Sequence, residues 1–454
     1  MGFVIDAMLF GMAMIGLARP YIGMLALLIV MELQPGALYP QTAPLHLERI
    51  IAAMLLVSFL LNRQKFRLPT PMGWFLALYG AMFLAIPLAF WPGNSAAYCL
   101  YFLEIVAFVL FATAQLTTEL RIRSFILTYV LLVDWLGGSA LWNYLHGIFI
   151  YRMHIDRAIG ITSSAGDPNT LATTLLLTIP LCFTLMLRSN PLWMRLIGVA
   201  SVAIDFVTII DTGSRTAACG IVVLVGLLVF RKRRNLLYLP LVAMLAPLLW
   251  MAIPQQYKAR YETIDHLKKD ESYQLRLDSW QGGLAMFESN PLTGVGPGNY
   301  AIANGEKFWP GPGRKYWLNA HSLYFQTIGE MGLLGVFVFG GYLISIFRLN
   351  FRLRKELAER DVSKFLKFLP DMFLIMLCQL LFAGYAAHVL FRSTWYIIGA
   401  MSGSLSLLPA LQQKAEETTT GRLNALAPWV YGRVRSPALV PAWQTQIRTH
   451  GPSA

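Results

Sequence analysis

The stretch of sequence that decides the fold is residues 70–115, which read TPMGWFLALYGAMFLAIPLAFWPGNSAAYCLYFLEIVAFVLFATAQ. Glu104 is the only side chain of fixed charge in it. Because a membrane-spanning helix needs about 20 predominantly apolar residues, the stretch predicts two spans, 71–91 and 97–115. A second run without fixed charge extends from Thr216 to Phe230. Such runs indicate a protein that is solvated by lipid rather than by water.

The composition of the whole chain agrees with that stretch. Of the 454 residues, 56% are apolar and only 13% are charged. A soluble domain carries about 25% charged residues, so this chain has too little charge to cover a water-facing surface. The sequence therefore predicts an all-α polytopic membrane protein and argues against a soluble multidomain protein.

Hydropathy along the chain predicts twelve to thirteen transmembrane helices. Each candidate is an apolar run close to the length that crosses the hydrocarbon core of a bilayer. The candidate spans are 3–18, 21–34, 49–62, 71–91, 97–115, 124–146, 169–187, 196–211, 215–230, 236–252, 320–347, 369–391 and 394–411. Residues 1–411 would form the transmembrane domain. Residues 412–454, rich in Pro, Thr and Gln, would form a disordered tail.

The formal net charge of +13 comes from basic residues that punctuate the apolar runs. When short loops are assigned to alternating sides, nineteen Lys and Arg residues fall on one side and five on the other. The positive-inside rule assigns the richer side and the tail to the cytoplasm. Loops 147–168, 211–215 and 253–319 would then face the opposite side. Because the basic residues form no single patch, nucleic-acid binding is not expected.

Cysteines and the N-terminus carry little further chemistry. The four cysteines all lie inside apolar runs. Their spacing offers no disulfide framework, and no set of Cys, His and carboxylate residues has metal-ligand spacing. We therefore expect no bound metal and no cofactor. Asp6 stands where a cleaved signal peptide carries basic residues, so we expect a retained first span.

The long loop 253–319 is expected to be partly helical. Four apolar side chains recur at helical spacing: Leu277, Trp280, Leu284 and Phe287. This spacing predicts an amphipathic helix that lies on the membrane or caps a cavity. The next run, Asn290–Tyr300, reads NPLTGVGPGNY, and its alternating glycines predict a compact turn. It neither follows a strand nor opens a helix, which argues against a Rossmann or P-loop phosphate site.

Polar residues cluster at the outer ends of predicted spans, where charge is costly and function is the default explanation. Three spans begin on that side, near Asn169, Arg215 and His321. Helix N-termini present unpaired N–H groups and a partial positive charge, which attract anions. Arg157 and Arg276 add planar donors suited to bidentate phosphate binding. This combination predicts a site for a dianion such as a pyrophosphate.

His321 differs chemically from the arginines. The positive end of a helix dipole disfavours imidazolium, so we expect a lowered pKa and a neutral ring. A neutral imidazole can accept a proton from a hydroxyl nucleophile as a general base. No carboxylate pair, HExxH or GxSxG motif competes with it, which argues against retaining glycosidase, protease or lipase chemistry.

Structural roles stay open for these residues. Arg152 and Arg157 can anchor the chain at the membrane interface, and Arg276 can be a solvated loop residue. Glu330 lies nine residues after His321, and we expect it to pair within the helix bundle rather than to act with His321. The remaining candidates near the outer ends are expected to be structural: His146, His154, His388 and Arg392.

The same residues, in the same order, resemble the O-antigen ligase superfamily. The resemblance covers roughly 150–347 and has a large outward loop between the second arginine and the histidine. It rests on Arg157–Gly160, Gly166–Ala172, Gly213–Thr216, Arg276–Trp280, Asn290–Gly296, His321 and Gly329–Gly335. Arg19–Gly23 resembles the exosortase-associated branch. One departure is Ser322, where many relatives have Asn directly after the histidine, and it leaves the type of acceptor open.

This resemblance implies a metal-independent, inverting glycosyltransferase of the C type in the bacterial inner membrane. Such enzymes take a glycan from undecaprenyl pyrophosphate at the periplasmic face. They transfer it to a hydroxyl of lipid A core, of a glycoprotein or of another glycan. Carried over by position, Arg215 and Arg276 hold the pyrophosphate and His321 activates the acceptor. The expected substrate-binding residues are Arg157, Asp167, Asn169, Ser214 and Tyr324.

Two alternatives share these features. An O-antigen or exopolysaccharide polymerase carries the same motifs as a ligase. A transporter of lipid-linked glycan would be a protein of another class, and it requires polar groups near the membrane centre. The candidates there are sparse: Glu104, Asp134 and Glu330. Because the polar cluster lies at one face only, we expect an enzyme.

Overall fold

The computed structural model describes residues 2–64, 66, 68–152, 155–162, 166–231, 233–262, 271–311 and 315–408, and most of them are helical. The first helices are α1 (Gly2–Ala18), α2 (Pro20–Leu33), α3 (Pro35–Leu38), α4 (Leu47–Leu61), α5 (Thr70–Ala85), α6 (Pro92–Gln115) and α7 (Glu119–Leu145). A hairpin of β1 (Ile150–Arg152) and β2 (Ile155–Arg157) follows. Then come α8 (Pro168–Leu185), α9 (Leu192–Asp211), α10 (Arg215–Phe230), α11 (Leu239–Ala252), α12 (Gln255–Glu262), α13 (Glu271–Ser289), α14 (Tyr300–Ala303), α15 (Leu323–Glu359), α16 (Lys364–Ala383) and α17 (Ser393–Ser406).

Caps and prolines explain where several helices begin. Proline occupies the first or second position of α2, α5, α6 and α8. The missing N–H costs nothing there, because the first N–H groups of a helix have no intrahelical partner. The Asp167 carboxylate caps α8 and the Ser214 hydroxyl caps α10. Both caps lie at residues that the sequence marks as candidate site residues.

Within the described residues, nine helical segments are long and apolar enough to cross a membrane. All nine coincide with predicted spans, so the prediction of an all-α polytopic membrane protein is confirmed. The other four predicted spans form α1, α10, α11 and α17, and the shortest of these have 14 residues. At 1.5 Å per residue such a helix is about 21 Å long, less than the roughly 30 Å of a bilayer core. The apolar runs at 236–252 and 394–411 are thus longer than the helices that they form.

At one end of the helix bundle, arginine side chains connect neighbouring helices, and we call this the basic end. Arg123 in α7 donates to Asn190, between α8 and α9, and its guanidinium lies 4.4 Å from the ring centre of Phe365 in α16. Asp371 in α16 pairs with Arg231, directly after α10, and at 3.0 Å with Arg354 in α15. Residues from several loops that the sequence assigned to one side therefore meet at one end.

Between α11 and α15 the chain forms the predicted partly helical insert. Helix α13 contains the predicted amphipathic segment, but the apolar stripe does not pack on the protein along its whole length, although its Trp280 stacks on Phe325. The buried residues of α13 are Ser279, Gly282, Gly283 and Met286, whereas Leu284 is 43% exposed. Small side chains let the α13 backbone approach its neighbours closely. Contact of the apolar stripe with the membrane stays a prediction.

Met1–Leu407 form one compact unit. The predicted boundary at residue 411 lies outside the described residues and stays a prediction. The predicted tail, 412–454, falls outside the described residues.

Candidate active site

The first part of the site is a corner that joins the start of α8 to the end of α9. Arg157, the last residue of β2, is only 1% exposed. Its Nε donates to the Thr212 carbonyl at 2.6 Å, and an Nη donates to Asn169 Oδ1 at 2.9 Å. Asp167 Oδ2 accepts from the N–H groups of Asn169 and Thr170 at 3.1 and 2.9 Å. This arrangement buries the Arg157 guanidinium and fixes the N-terminus of α8.

The neighbouring turn carries Arg215. Ser214 is fully buried, and its Oγ accepts from Ala217 N at 3.4 Å, so Arg215 is the first residue of α10. The turn is braced by Tyr257 of α12, whose hydroxyl donates to the carbonyls of Asp156 and Asp211 at 3.1 and 3.2 Å. The half-buried Arg215 side chain therefore projects from a helix N-terminus that three elements hold in place.

The segment that leads into His321 is bound to α13. Ser279 Oγ donates to the Asn319 carbonyl at 3.0 Å, and Trp280 Nε1 donates to the Ala320 carbonyl at 2.9 Å. His321 itself has a φ of 45°, in the left-handed region that non-glycine residues seldom adopt. Such a conformation persists only where its surroundings enforce it, and it is common at functional sites. Here the bonds from α13 supply that restraint.

Charged side chains surround His321. The pKa of His321 is lowered to about 4, mainly by burial and then by His388, Arg276 and Arg152, while Asp167 opposes them. A pKa this low corresponds to a ring that is neutral at physiological pH, and burial is its largest cause. The centre of the His388 ring lies 5.2 Å from that of His321, with the rings edge to face.

Two glycine-containing motifs that are separate in sequence meet beside this site. Val295 N donates to the Gly329 carbonyl at 2.8 Å, and Leu333 N donates to the Pro291 carbonyl at 2.8 Å. The second bond is possible because α15 breaks at Gly332, where φ is 59° and ψ is −154°. Only glycine adopts that conformation readily. The compact turn predicted for Asn290–Tyr300 thus packs into the kink of α15 through its residues 291–295, which we call the wedge.

Glu330 lies at this junction and is only 3% exposed. Its Oε1 accepts from Tyr300 N at 3.2 Å, and its Oε2 accepts from Gln326 Nε2 at 3.2 Å. The prediction that Glu330 pairs within the bundle agrees with these bonds. Gln326 Oε1 in turn accepts from Leu390 N at 3.1 Å, which ties the wedge to the loop that carries His388.

The structure therefore groups His321 with Arg276, Arg152 and Asp167. It gives other predicted residues supporting contacts: Asn169 holds Arg157, Ser214 caps α10, and the half-exposed Tyr324 donates through its hydroxyl to Leu381 O at 3.0 Å. His154 lies outside the described residues. No group of three His, Cys, Asp or Glu residues in the described part of the chain is placed to hold a metal ion.

Two features of the site were missed from the sequence. His388 was expected to be structural, and its nearness to His321 could have been suspected only from its position at the outer end of a predicted span. Ser322 is 1% exposed, and its Oγ has no hydrogen-bond partner among the described residues. A buried hydroxyl directly beside the candidate base thus keeps unused hydrogen-bonding capacity.

The geometry places the candidate base His321 near the cationic side chains of Arg276 and Arg152. Residues 200–340 match the model of a protein family described as O-antigen ligase. The matched segment contains Arg215, Arg276 and His321. No curated protein matches the chain significantly. The resemblance to the O-antigen ligase superfamily is thereby confirmed over this segment, and the family implies glycan transfer of the ligase or polymerase type.

Proposed function

With that family match as the premise, we propose that the protein transfers an oligosaccharide or polysaccharide from undecaprenyl pyrophosphate to an acceptor hydroxyl. The observation that carries the proposal is the position of His321: hydrogen bonds from α13 hold the segment before it, and Arg276 and Arg152 lie near enough to lower its pKa. A base that stays neutral among cations suits a reaction in which a hydroxyl is deprotonated beside an anionic donor.

In this mechanism His321 accepts the proton of the acceptor hydroxyl. The acceptor oxygen then bonds to the anomeric carbon while the bond from that carbon to the phosphate oxygen breaks. The electron pair leaves with the pyrophosphate. A single displacement of this kind inverts the anomeric carbon, so the proposed enzyme is an inverting glycosyltransferase whose steps use only side chains of this chain.

Arg215 and Arg276 stabilise the negative charge that develops on the pyrophosphate. Guanidinium groups bind phosphate oxygens in a bidentate manner, and donors that are already oriented lower the barrier without reorganising. The buried Arg157 serves this site indirectly, because it holds the Thr212 carbonyl and the Asn169 side chain next to the two helix N-termini.

We further propose that this site faces the periplasm and that the basic end faces the cytoplasm. The excess of basic residues in loops of the basic end supports this orientation. Single cysteines can be introduced at exposed positions after the four natural cysteines are replaced. His146→Cys lies at the site end and Ser189→Cys at the basic end. A membrane-impermeant maleimide applied from the periplasm should label the His146→Cys variant and leave the Ser189→Cys variant unlabelled. The reverse labelling pattern contradicts the proposed orientation.

The activity is tested by disrupting the gene and restoring wild type, His321→Ala, Arg215→Ala or Arg276→Ala. His146→Ala is the matched control, since it removes a histidine at the same end that stacks on Trp142 instead. Loss of one charge-stabilising donor should slow transfer roughly 100- to 1,000-fold. Surface polysaccharide, periplasmic glycoprotein and lipid-linked glycan are measured together.

Loss of attached glycan, with donor accumulating on the lipid, supports a ligase, and the acceptor is the molecule that loses its glycan. Collapse of a polysaccharide ladder to single repeats identifies a polymerase. Donor trapped on the cytoplasmic face identifies a transporter. Transfer at the wild-type rate by folded His321→Ala protein rules out the proposed base.

A further inference from the structure

The loop between α16 and α17 carries His388, and buried side chains hold its backbone. Trp395 Nε1 donates to the Val389 carbonyl at 2.9 Å, and the Tyr396 hydroxyl donates to the Leu390 carbonyl at 2.6 Å. Leu390 N donates to Gln326 Oε1 at 3.1 Å. The two residues that follow His388 are thus bound by side chains from α15 and α17.

The same loop is attached to the start of α15. Leu323 N donates to the Gly384 carbonyl at 2.6 Å. Because Leu323 is two residues after His321 and Gly384 is four residues before His388, this bond fixes the two histidines relative to each other. Their rings lie edge to face with centres 5.2 Å apart.

The environment favours the neutral form of both rings, because it lowers the pKa of each. Desolvation lowers the pKa of His388, and the charge of Arg392 lowers it further while Asp167 opposes them. The charge of Asp167, at the start of α8, therefore raises the pKa of both imidazoles. The charges of Arg276 in α13 and Arg152 in β1 lower the pKa of His321, and that of Arg392 lowers the pKa of His388. A neutral imidazole has one ring nitrogen that donates a hydrogen bond and one that accepts.

We propose that His388 is a positioning residue for the transfer reaction, which orients the His321 ring and accepts a hydrogen bond from it as His321 becomes protonated. This inference rests on the proposed function. In the step, one ring nitrogen of His321 takes the proton of the acceptor hydroxyl, and the other N–H of the resulting imidazolium donates to the unprotonated nitrogen of His388. The positive charge is thereby shared with a second ring, and no further reactant is needed.

A purely structural role predicts a different outcome, namely that ring shape alone matters. His388→Phe keeps an aromatic ring against His321 and removes the acceptor. His388→Gln keeps a hydrogen-bond acceptor and removes the titration. His146→Gln is the control, because His146 is a histidine at the same end with its own aromatic partner and no place in the mechanism.

The experiment uses the full chain, purified and reconstituted in phospholipid vesicles. The substrates are the lipid-linked glycan and the acceptor extracted from the disruption strain. The expected result is a loss of roughly 10- to 100-fold for His388→Phe, less than the 10²- to 10⁴-fold typical of removing a general base, and a smaller loss for His388→Gln. Size-exclusion profile and thermal unfolding show which variants are folded.

The dependence of the rate on pH separates positioning from packing. In wild type both rings must be neutral, so the logarithm of the rate should fall with acid at a slope that approaches about 2. In His388→Gln only His321 titrates, and the slope should approach about 1. A wild-type rate for His388→Phe, or a slope near 1 in wild type, overturns the inference. Absence of transfer by wild type and by His146→Gln instead counts against the proposed function itself.

Discussion

Trp280 Nε1 donates a hydrogen bond to the carbonyl of Ala320 at 2.9 Å, and the Trp280 ring stacks on Phe325 with centres 5.0 Å apart. Trp280 thus contacts the chain on both sides of His321. Arg276 lies one helical turn before Trp280 and therefore on the same side of α13. The four-residue spacing therefore places Arg276 near the His321 ring and lets Trp280 bind the backbone of the preceding residue, Ala320.

Replacing Trp280 with Phe should slow transfer without unfolding the protein. The variant keeps the stacking on Phe325 but leaves the Ala320 carbonyl without its donor, at a cost of about 1 kcal/mol in stability. We expect a roughly tenfold lower rate, because a small displacement of a catalytic group has large kinetic effects. The measurement is the transfer rate of folded protein. Trp309→Phe, in the same insert, is the control, and equal rates for the two variants contradict this role of Trp280.

Removing a positive charge near His321 should raise the pH below which transfer activity is lost. His321 acts only when neutral, so the rate falls as pH falls through its pKa of about 4. Arg152→Gln removes a charge that lowers this pKa, so the pKa rises and activity is lost at a higher pH. The measurement is the transfer rate as a function of pH. Arg49→Gln is the control, because Arg49 pairs with Glu104 instead. If activity is lost at the same pH as in wild type, or at a lower pH, Arg152 does not lower the pKa of His321.

Gly332→Ala should prevent stable folding of the site. A Cβ at Gly332 would lie 2.5 Å from the Pro291 carbonyl oxygen, and the backbone there has a φ of 59°. The backbone conformation alone should cost a side-chain-bearing residue about 1–3 kcal/mol, and the clash adds to that. Gly340→Ala in the same helix is the control, since nothing lies within 4 Å of its added Cβ. Yield of folded protein and its unfolding temperature are measured, and equal values for both variants argue against the wedge.

Asp371→Asn should lower stability while leaving transfer intact. The Asp371 carboxylate, 7% exposed, pairs with Arg231 and Arg354, and both arginines would lose their counter-charge. Because Arg354 is 45% exposed, we expect a loss of roughly 1–3 kcal/mol rather than the larger cost of a fully buried pair. Arg352→Gln, which breaks an exposed pair with Glu356, should cost less than about 1 kcal/mol. Unfolding in detergent tests this difference, and a loss of activity in folded Asp371→Asn protein is the contrary result.

The fold was predictable because hydropathy is a local property. An apolar run of sufficient length must form a helix in lipid, since the backbone has no water to bond to, and all thirteen predicted spans are helical. Helix ends were less predictable. The apolar run 394–411 contains a helix that ends at Ser406, because hydropathy does not report where backbone hydrogen bonding stops.

The candidate site was predictable in part. His321 and Asp167 became candidates because a polar residue at the end of an apolar run is costly and therefore conspicuous, and Arg276 became one through its motif in the long loop. Burial of Arg157 was not foreseen, since the sequence shows that an arginine is present but not which carbonyl it reaches. His388 lies 67 positions after His321, and no local pattern connects the two.

The sequence by itself thus determined the class of the protein, the order of its helices and the chemical character of the residues at their ends. These depend on composition and periodicity, which act over a few turns of helix. Only the tertiary structure decided which charges surround His321, that the Pro291–Val295 segment inserts into the kink at Gly332, and that His388 lies against His321. Those contacts join distant parts of the chain, and they follow from how helices pack and where a backbone can bend, which no short stretch of sequence encodes.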